Sequence, residues 1–161
     1  MTDLPGPRAR RVAQLLLAVL LVAVACITLW PSPVDEGGRS ALLLVLDRLH
    51  ARGIPQRVDY GFVERAANVV MFVPFGALLA FLLAPRRRWL AVALPATASL
   101  LVEGVQHVAL PRRFASGWDV LANTTGALLG AVAVVAVMAL LRRRTGPGPV
   151  HVVDPVVRRS P

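Results

Sequence analysis

Four long apolar runs, each bounded by arginines, set the pattern of the chain. The first, residues 12–30, is uncharged and follows Arg8, Arg10 and Arg11. The second, about 66–83, closes at Pro85 and the Arg86, Arg87, Arg88 cluster. The third runs from Trp89 to about Val108, and Pro111, Arg112 and Arg113 follow it. The fourth, about 118–141, stops at Arg142, Arg143 and Arg144. At about 1.5 Å per helical residue, each run reaches across a hydrocarbon layer roughly 30 Å thick. None alternates polar and apolar positions as a half-buried strand would. The pattern predicts an all-α protein, a bundle of four transmembrane helices.

Between the first two runs, residues 31–65 are polar, opened by Pro31, Ser32 and Pro33, and hold five arginines against five carboxylates. Within them, residues 39–52 carry Leu42, Leu43, Val45, Leu46 and Leu49 against Arg39, Asp47, Arg48 and Arg52. That spacing predicts a short amphipathic helix, too short to cross and suited to the membrane surface. Gly53 and Pro55 end it. The chain thus divides into an N-terminal arm (1–11), a first span (12–30), a loop with a surface helix (31–65), a core of three spans (66–141) and a tail (142–161). Gly146, Pro147, Gly148, Pro149 and Pro155 predict that the tail is disordered. A signal peptide competes for the first run, since small residues surround Cys26. Three further spans favour an uncleaved helix, with Trp30 as an interfacial anchor.

Composition agrees with this reading. The 161 residues are 56% hydrophobic and 17% charged, too apolar for a water-soluble domain of this size. All 18 basic residues are Arg, and the net charge is +9. They flank the apolar runs without interleaved aromatics, which argues for membrane anchoring and against nucleic-acid binding. Placing the N-terminus inside puts eleven arginines in cytoplasmic segments and seven outside, so both termini are expected in the cytoplasm of a multi-pass cell-membrane protein. A lone cysteine, Cys26, permits no intrachain disulfide.

Five polar residues fall inside or at the ends of apolar spans: Asn68, Glu103, Gln106, Asp119 and Asn123. A carboxylate there costs about 2.5–3.5 kcal/mol on insertion scales, so it needs a partner or water. Glu103 and Gln106 are three apart, and Asp119 and Asn123 four apart; both spacings share one helical face. Glu103 lies about 21 Å from the inner end of its span, and Asn123 about 6 Å deeper than Asp119. All five belong to the outer half of the bundle, with Arg113 in the loop above. They could also serve as interhelical glue, and Asp119 as a helix cap. Gly126 and Gly130 form a GxxxG pair that admits a close helix, and Gly76 is a third small packing position. Pro74 lies mid-span, where it frees a backbone carbonyl. His50, His107 and His151 are scattered, and one His beside Glu103 is too little for zinc. No metal or cofactor is expected, and no Ser-His-Asp order, P-loop or dinucleotide fingerprint occurs.

These residues carry a family likeness. NVVMFVPFG, from Asn68 to Gly76, resembles the N-x-x-x-F-x-P-x-G signature of VanZ-like membrane proteins. EGVQ, with Glu103 and Gln106, resembles that family's E-x-x-Q. Arg113, Asp119, Asn123, Gly126 and Gly130 are similar to its R-x5-D-x3-N-x2-G-x3-G run, and Glu64 fits many members. The likeness covers about residues 60–141. Trp118 stands where many members carry a second acid, which departs from a two-carboxylate loop. The resemblance implies a bacterial envelope protein with an outward-facing polar cluster, in a family tied to resistance to the glycopeptide teicoplanin.

Three functions follow as expectations. One is binding of a lipid headgroup or cell-wall precursor by Asn68, Glu103, Gln106, Arg113, Asp119 and Asn123, with membrane lipids as surroundings. Another is an enzyme using Glu103 and Asp119 as acid and base, less favoured because no nucleophile or metal set accompanies them. The third is a structural or partner-binding protein, with GxxxG leaving a homo-oligomer open.

Overall fold

Asp59 starts the helix on which the bundle packs. Its side chain accepts a hydrogen bond from the Phe62 backbone N–H at 2.7 Å, satisfying one of the donors a helix start leaves open. In a computed structural model of the chain, residues 5–28, 36–109 and 117–144 are described, with backbone alone for 28, 36, 37 and 106–109. They form five α-helices and no strand: α1 (Pro7–Thr28), α2 (Glu36–His50), α3 (Tyr60–Leu82), α4 (Leu90–Ala109) and α5 (Gly117–Arg144). A 3-10 turn, Pro85–Arg87, links α3 to α4. All but α2 belong to stretches long and apolar enough to cross a membrane. The all-α architecture of four spans and one short intervening helix is therefore the fold of this chain. Trp30, the segment with Arg112 and Arg113, and residues from 145 on, with His151, lie outside the described residues.

The helices exceed the apolar runs at several ends. α3 begins six residues before Ala66, because the Asp59 cap nucleates it earlier. α1 takes in Arg8, Arg10 and Arg11, and α5 runs through Arg142, Arg143 and Arg144. Arginine is a good helix former whose long stem lets the charge reach water from a helix end. Helix length and apolar length are therefore different quantities.

α3 and α5 form the closest pair, and they touch backbone to backbone. A Cβ added at Gly76 would collide with the carbonyl of Ala127, one at Gly126 with that of Val69, and one at Gly130 with that of Val73. Three glycines thus bring the helices closer than any side chain allows. The two helices run parallel: Gly76 faces Ala127 at the same offset of 51 that relates Asn68 to Asp119. α4 runs antiparallel beside α5. Ser99 pairs with Asn123, and eight residues back along α4 Ala91 packs with Ala131, eight residues forward on α5. Ala80 of α3 completes that alanine cluster, and Leu79, Leu83, Val92 and Val134 pack around it. Pro74 and Pro95 both sit inside continuous helices.

The remaining helices are more peripheral. α1 packs on α3 with Ala13 as its buried contact, while Leu15, Val19 and Val22 are all more than 60% exposed. Apolar side chains left open on that scale are suited to lipid, where their exposure costs nothing. α2 buries Leu46 and ends at Gly53, whose φ of 94° is the left-handed conformation that closes a helix. His50 Nε2 lies 3.1 Å from the Val58 carbonyl, and the Arg39 guanidinium stacks 4.8 Å from the Tyr60 ring centre. These contacts fold α2 back onto the start of α3.

The close α3–α5 contact predicts a contrast among glycines. Gly76→Ala and Gly126→Ala should each destabilise the detergent-solubilised protein by about 1–3 kcal/mol, the usual cost of overpacking. Gly104→Ala, open to its surroundings on α4, should be neutral or stabilise by about 0.5–1 kcal/mol through helix propensity. Thermal melts followed by circular dichroism measure both.

Candidate functional site

Intramembrane polarity gathers at the end of the bundle where α3 and α5 begin and α4 approaches its end. Asn68 Nδ2 donates to Asp119 Oδ1 at 3.1 Å, joining α3 to α5. Asp119 lies in the first turn of α5, where the helix dipole favours a carboxylate. Arg65, one turn before Asn68 on α3, attracts the Asp119 carboxyl electrostatically. The same guanidinium reaches Asp59 with a 4.0 Å separation, so it ties the capping residue of α3 to the polar end of α5.

A second level lies one helical turn deeper, about 6 Å along α5. Asn123, 9% exposed, donates through Nδ2 to Ser99 Oγ of α4 at 2.8 Å. Ser99 is 5% exposed. The Asn123 Oδ1 is buried and receives no hydrogen bond from any described residue. A buried amide oxygen with an unused lone pair costs about 1–3 kcal/mol unless a donor reaches it. The neighbouring hydroxyls do not supply one: Thr124 and Thr125 donate to the carbonyls of Val120 and Leu121 on their own helix.

The antiparallel register places Glu103. Four residues after Ser99 on α4, it stands opposite the position four residues before Asn123 on α5, which is Asp119. Glu103 is half-buried and has an interaction of its own. Two layers result: Asn68, Glu103 and Asp119 at one level, and Ser99 with Asn123 beneath. Asn123 does not join the Asn68–Asp119 pair but binds α4 instead. Gln106 is on α4 with its side chain outside the described residues, and Arg113 lies wholly outside them.

Two members of this constellation escape a reading of sequence. Ser99 is a small hydroxyl among alanines and leucines, cheap to bury in any transmembrane helix and so without a warning signal. Its position one turn from Glu103 was the available clue. Arg65 reads as a loop charge because the apolar run starts after it. The Asp59 cap puts it on α3 instead.

A family model described as VanZ/LLP1 matches residues 17–140. That is well over half of the 161 residues, and the chain belongs to the VanZ/LLP1 family. The match extends the motif likeness forward from residue 60 to include most of α1 and all of α2. No curated protein and no solved structure matches the chain.

The Asn68–Asp119 bond predicts energetic coupling. In a double-mutant cycle, Asn68→Ala and Asp119→Ala should show a coupling of about 0.6–1.7 kcal/mol, the range found for interhelical hydrogen bonds in membranes. Asn68→Ala with Ser99→Ala, which lie in different layers and share no partner, should be additive. Both are read from unfolding of the detergent-solubilised variants.

Proposed function

We propose that this VanZ/LLP1-family membrane protein binds the polar headgroup of a lipid-linked cell-wall precursor, or the peptide stem that glycopeptides recognise, at its two-layered polar end. The observation that carries the reading is the buried Asn123 Oδ1, an acceptor without a donor among the described residues, beneath a layer that holds two carboxyl groups. Sugar hydroxyls and peptide N–H groups are donors suited to such an acceptor. Asn68, Glu103 and Asp119 offer amide and carboxyl groups for the same chemistry. Gln106 and Arg113 complete the set on the strength of the family signature, with Arg113 suited to a phosphate or carboxylate.

The arrangement favours binding over catalysis. Asp119 is engaged by Asn68, and Ser99, one turn beneath the layer, accepts a hydrogen bond from Asn123. Among the described residues no base accepts the Ser99 proton, so Ser99 lacks the nucleophile-and-base geometry of an activated hydroxyl. On this reading both termini are cytoplasmic, the polar end faces the extracytoplasmic side, and α1 is an anchor that contributes no polar group to it. The phenotype expected is a change in tolerance to teicoplanin.

Glu103→Ala and Asp119→Ala, expressed at the level of the parent protein, should reduce glycopeptide tolerance to that of a deletion strain. Lipids recovered with purified Glu103→Gln protein should be depleted of the cell-wall precursor present with the parent. If tolerance is unchanged in both alanine variants yet falls on deletion, the protein acts without this site.

A further inference from the structure

At the opposite end of the bundle, the turn between α3 and α4 meets the last turns of α5. Arg88 closes that turn and points Nη2 at Met138 Sδ, 3.6 Å away. Its Nε is buried and has no hydrogen-bond acceptor among the described residues. A thioether is a weak acceptor, so among the described residues this guanidinium has no strong hydrogen-bond partner. Beside it an open groove of about 270 Å³ runs between α3 and α5, lined by Phe81, Ala133, Val134, Val137, Met138 and Leu141. No polar side chain lines it. Met138 belongs to both features, which makes the groove and the guanidinium contiguous.

Charge at this corner has one sign. Arg86, Arg87, Arg143 and Arg144 are exposed around Arg88, and Arg142 is exposed with a contact of its own. No Asp or Glu occurs from residue 65 to 102 or from 120 to 144. Arg86, Arg87, Arg88, Arg143 and Arg144 therefore have no acid in either segment to neutralise them.

We propose that this corner binds one anionic phospholipid, with an acyl chain in the α3–α5 groove and the phosphodiester drawn to the Arg88 guanidinium and the exposed arginines around it. Guanidinium matches phosphate in geometry as well as charge. A zwitterionic headgroup would bring its own cation against these five arginines, whereas an anionic one relieves their mutual repulsion. The groove and the guanidinium share Met138, so one lipid spans both. The site is independent of the polar layer, which lies at the far end of the same helices.

Trp89, adjacent to Arg88 and 66% exposed, is a reporter for it. The full chain carrying Trp30→Phe and Trp118→Phe is reconstituted into phosphatidylcholine bilayers containing brominated phosphatidylglycerol or brominated phosphatidylcholine. The brominated anionic lipid should occupy the site about five-fold more strongly, judged by quenching of Trp89, as expected for about one basic residue's attraction to an anionic headgroup. Arg88→Gln should remove that preference. Ala133→Phe, which fills the groove and keeps every charge, should weaken quenching by both lipids. Equal quenching by the two lipids in the parent would overturn the proposal, as would a preference untouched by both substitutions. Loss of the preference on adding inorganic phosphate at constant ionic strength would also overturn it, identifying a free-phosphate site instead.

Discussion

The absence of side chains where α3 meets α5 is the constraint from which the remaining structure follows. Gly76, Gly126 and Gly130 remove the atoms that would hold two helices apart, and the carbonyls of Val69, Val73 and Ala127 fill the space. In lipid there is little hydrophobic force between helices, so close packing and interhelical hydrogen bonds must bind them. Backbone contact maximises packing, and it fixes the register of the two helices to within a residue. Once that register is fixed, Asn68 is opposite Asp119 at one end and Arg88 is beside Met138 at the other.

The α4 helix uses the same principle with alanine. Ala80, Ala91 and Ala131 meet where the three helices converge, and the antiparallel register set there carries Ser99 to Asn123 and Glu103 to the level of Asp119. Polar residues thus collect at one end because small residues fix how the helices slide past one another. α1 follows different rules. It buries little beyond Ala13, so its place is set by a narrow contact with α3 and by the lipid around its exposed leucines and valines.

Much of this was legible in the sequence, for physical reasons that can be named. Run length and bounding arginines reveal spans because lipid penalises charge and has a fixed thickness. An odd number of crossings between α3 and α5 already implies that they run parallel. The ends were less legible, since Asp59 and the arginines of α1 and α5 extend helices without adding apolar residues. Spacing could place Asp119 and Asn123 on one face of α5, but not reveal that they address different neighbours, Asn68 on α3 and Ser99 on α4. That division depends on where α4 sits around α5, and helical periodicity within one segment carries no information about it.

The central claim is a register: α3 parallel to α5 at an offset of 51 residues, with α4 antiparallel beside them. Oxidative cross-linking of paired cysteines in membranes tests it most directly, in a Cys26→Ser background. Asn68→Cys with Asp119→Cys, and separately Ser99→Cys with Asn123→Cys, should each form an intramolecular disulfide readily. Asn68→Cys with Met138→Cys, at opposite ends of the pair, should form none. Failure of the first two pairs in folded protein, or efficient cross-linking of the third, would contradict the account.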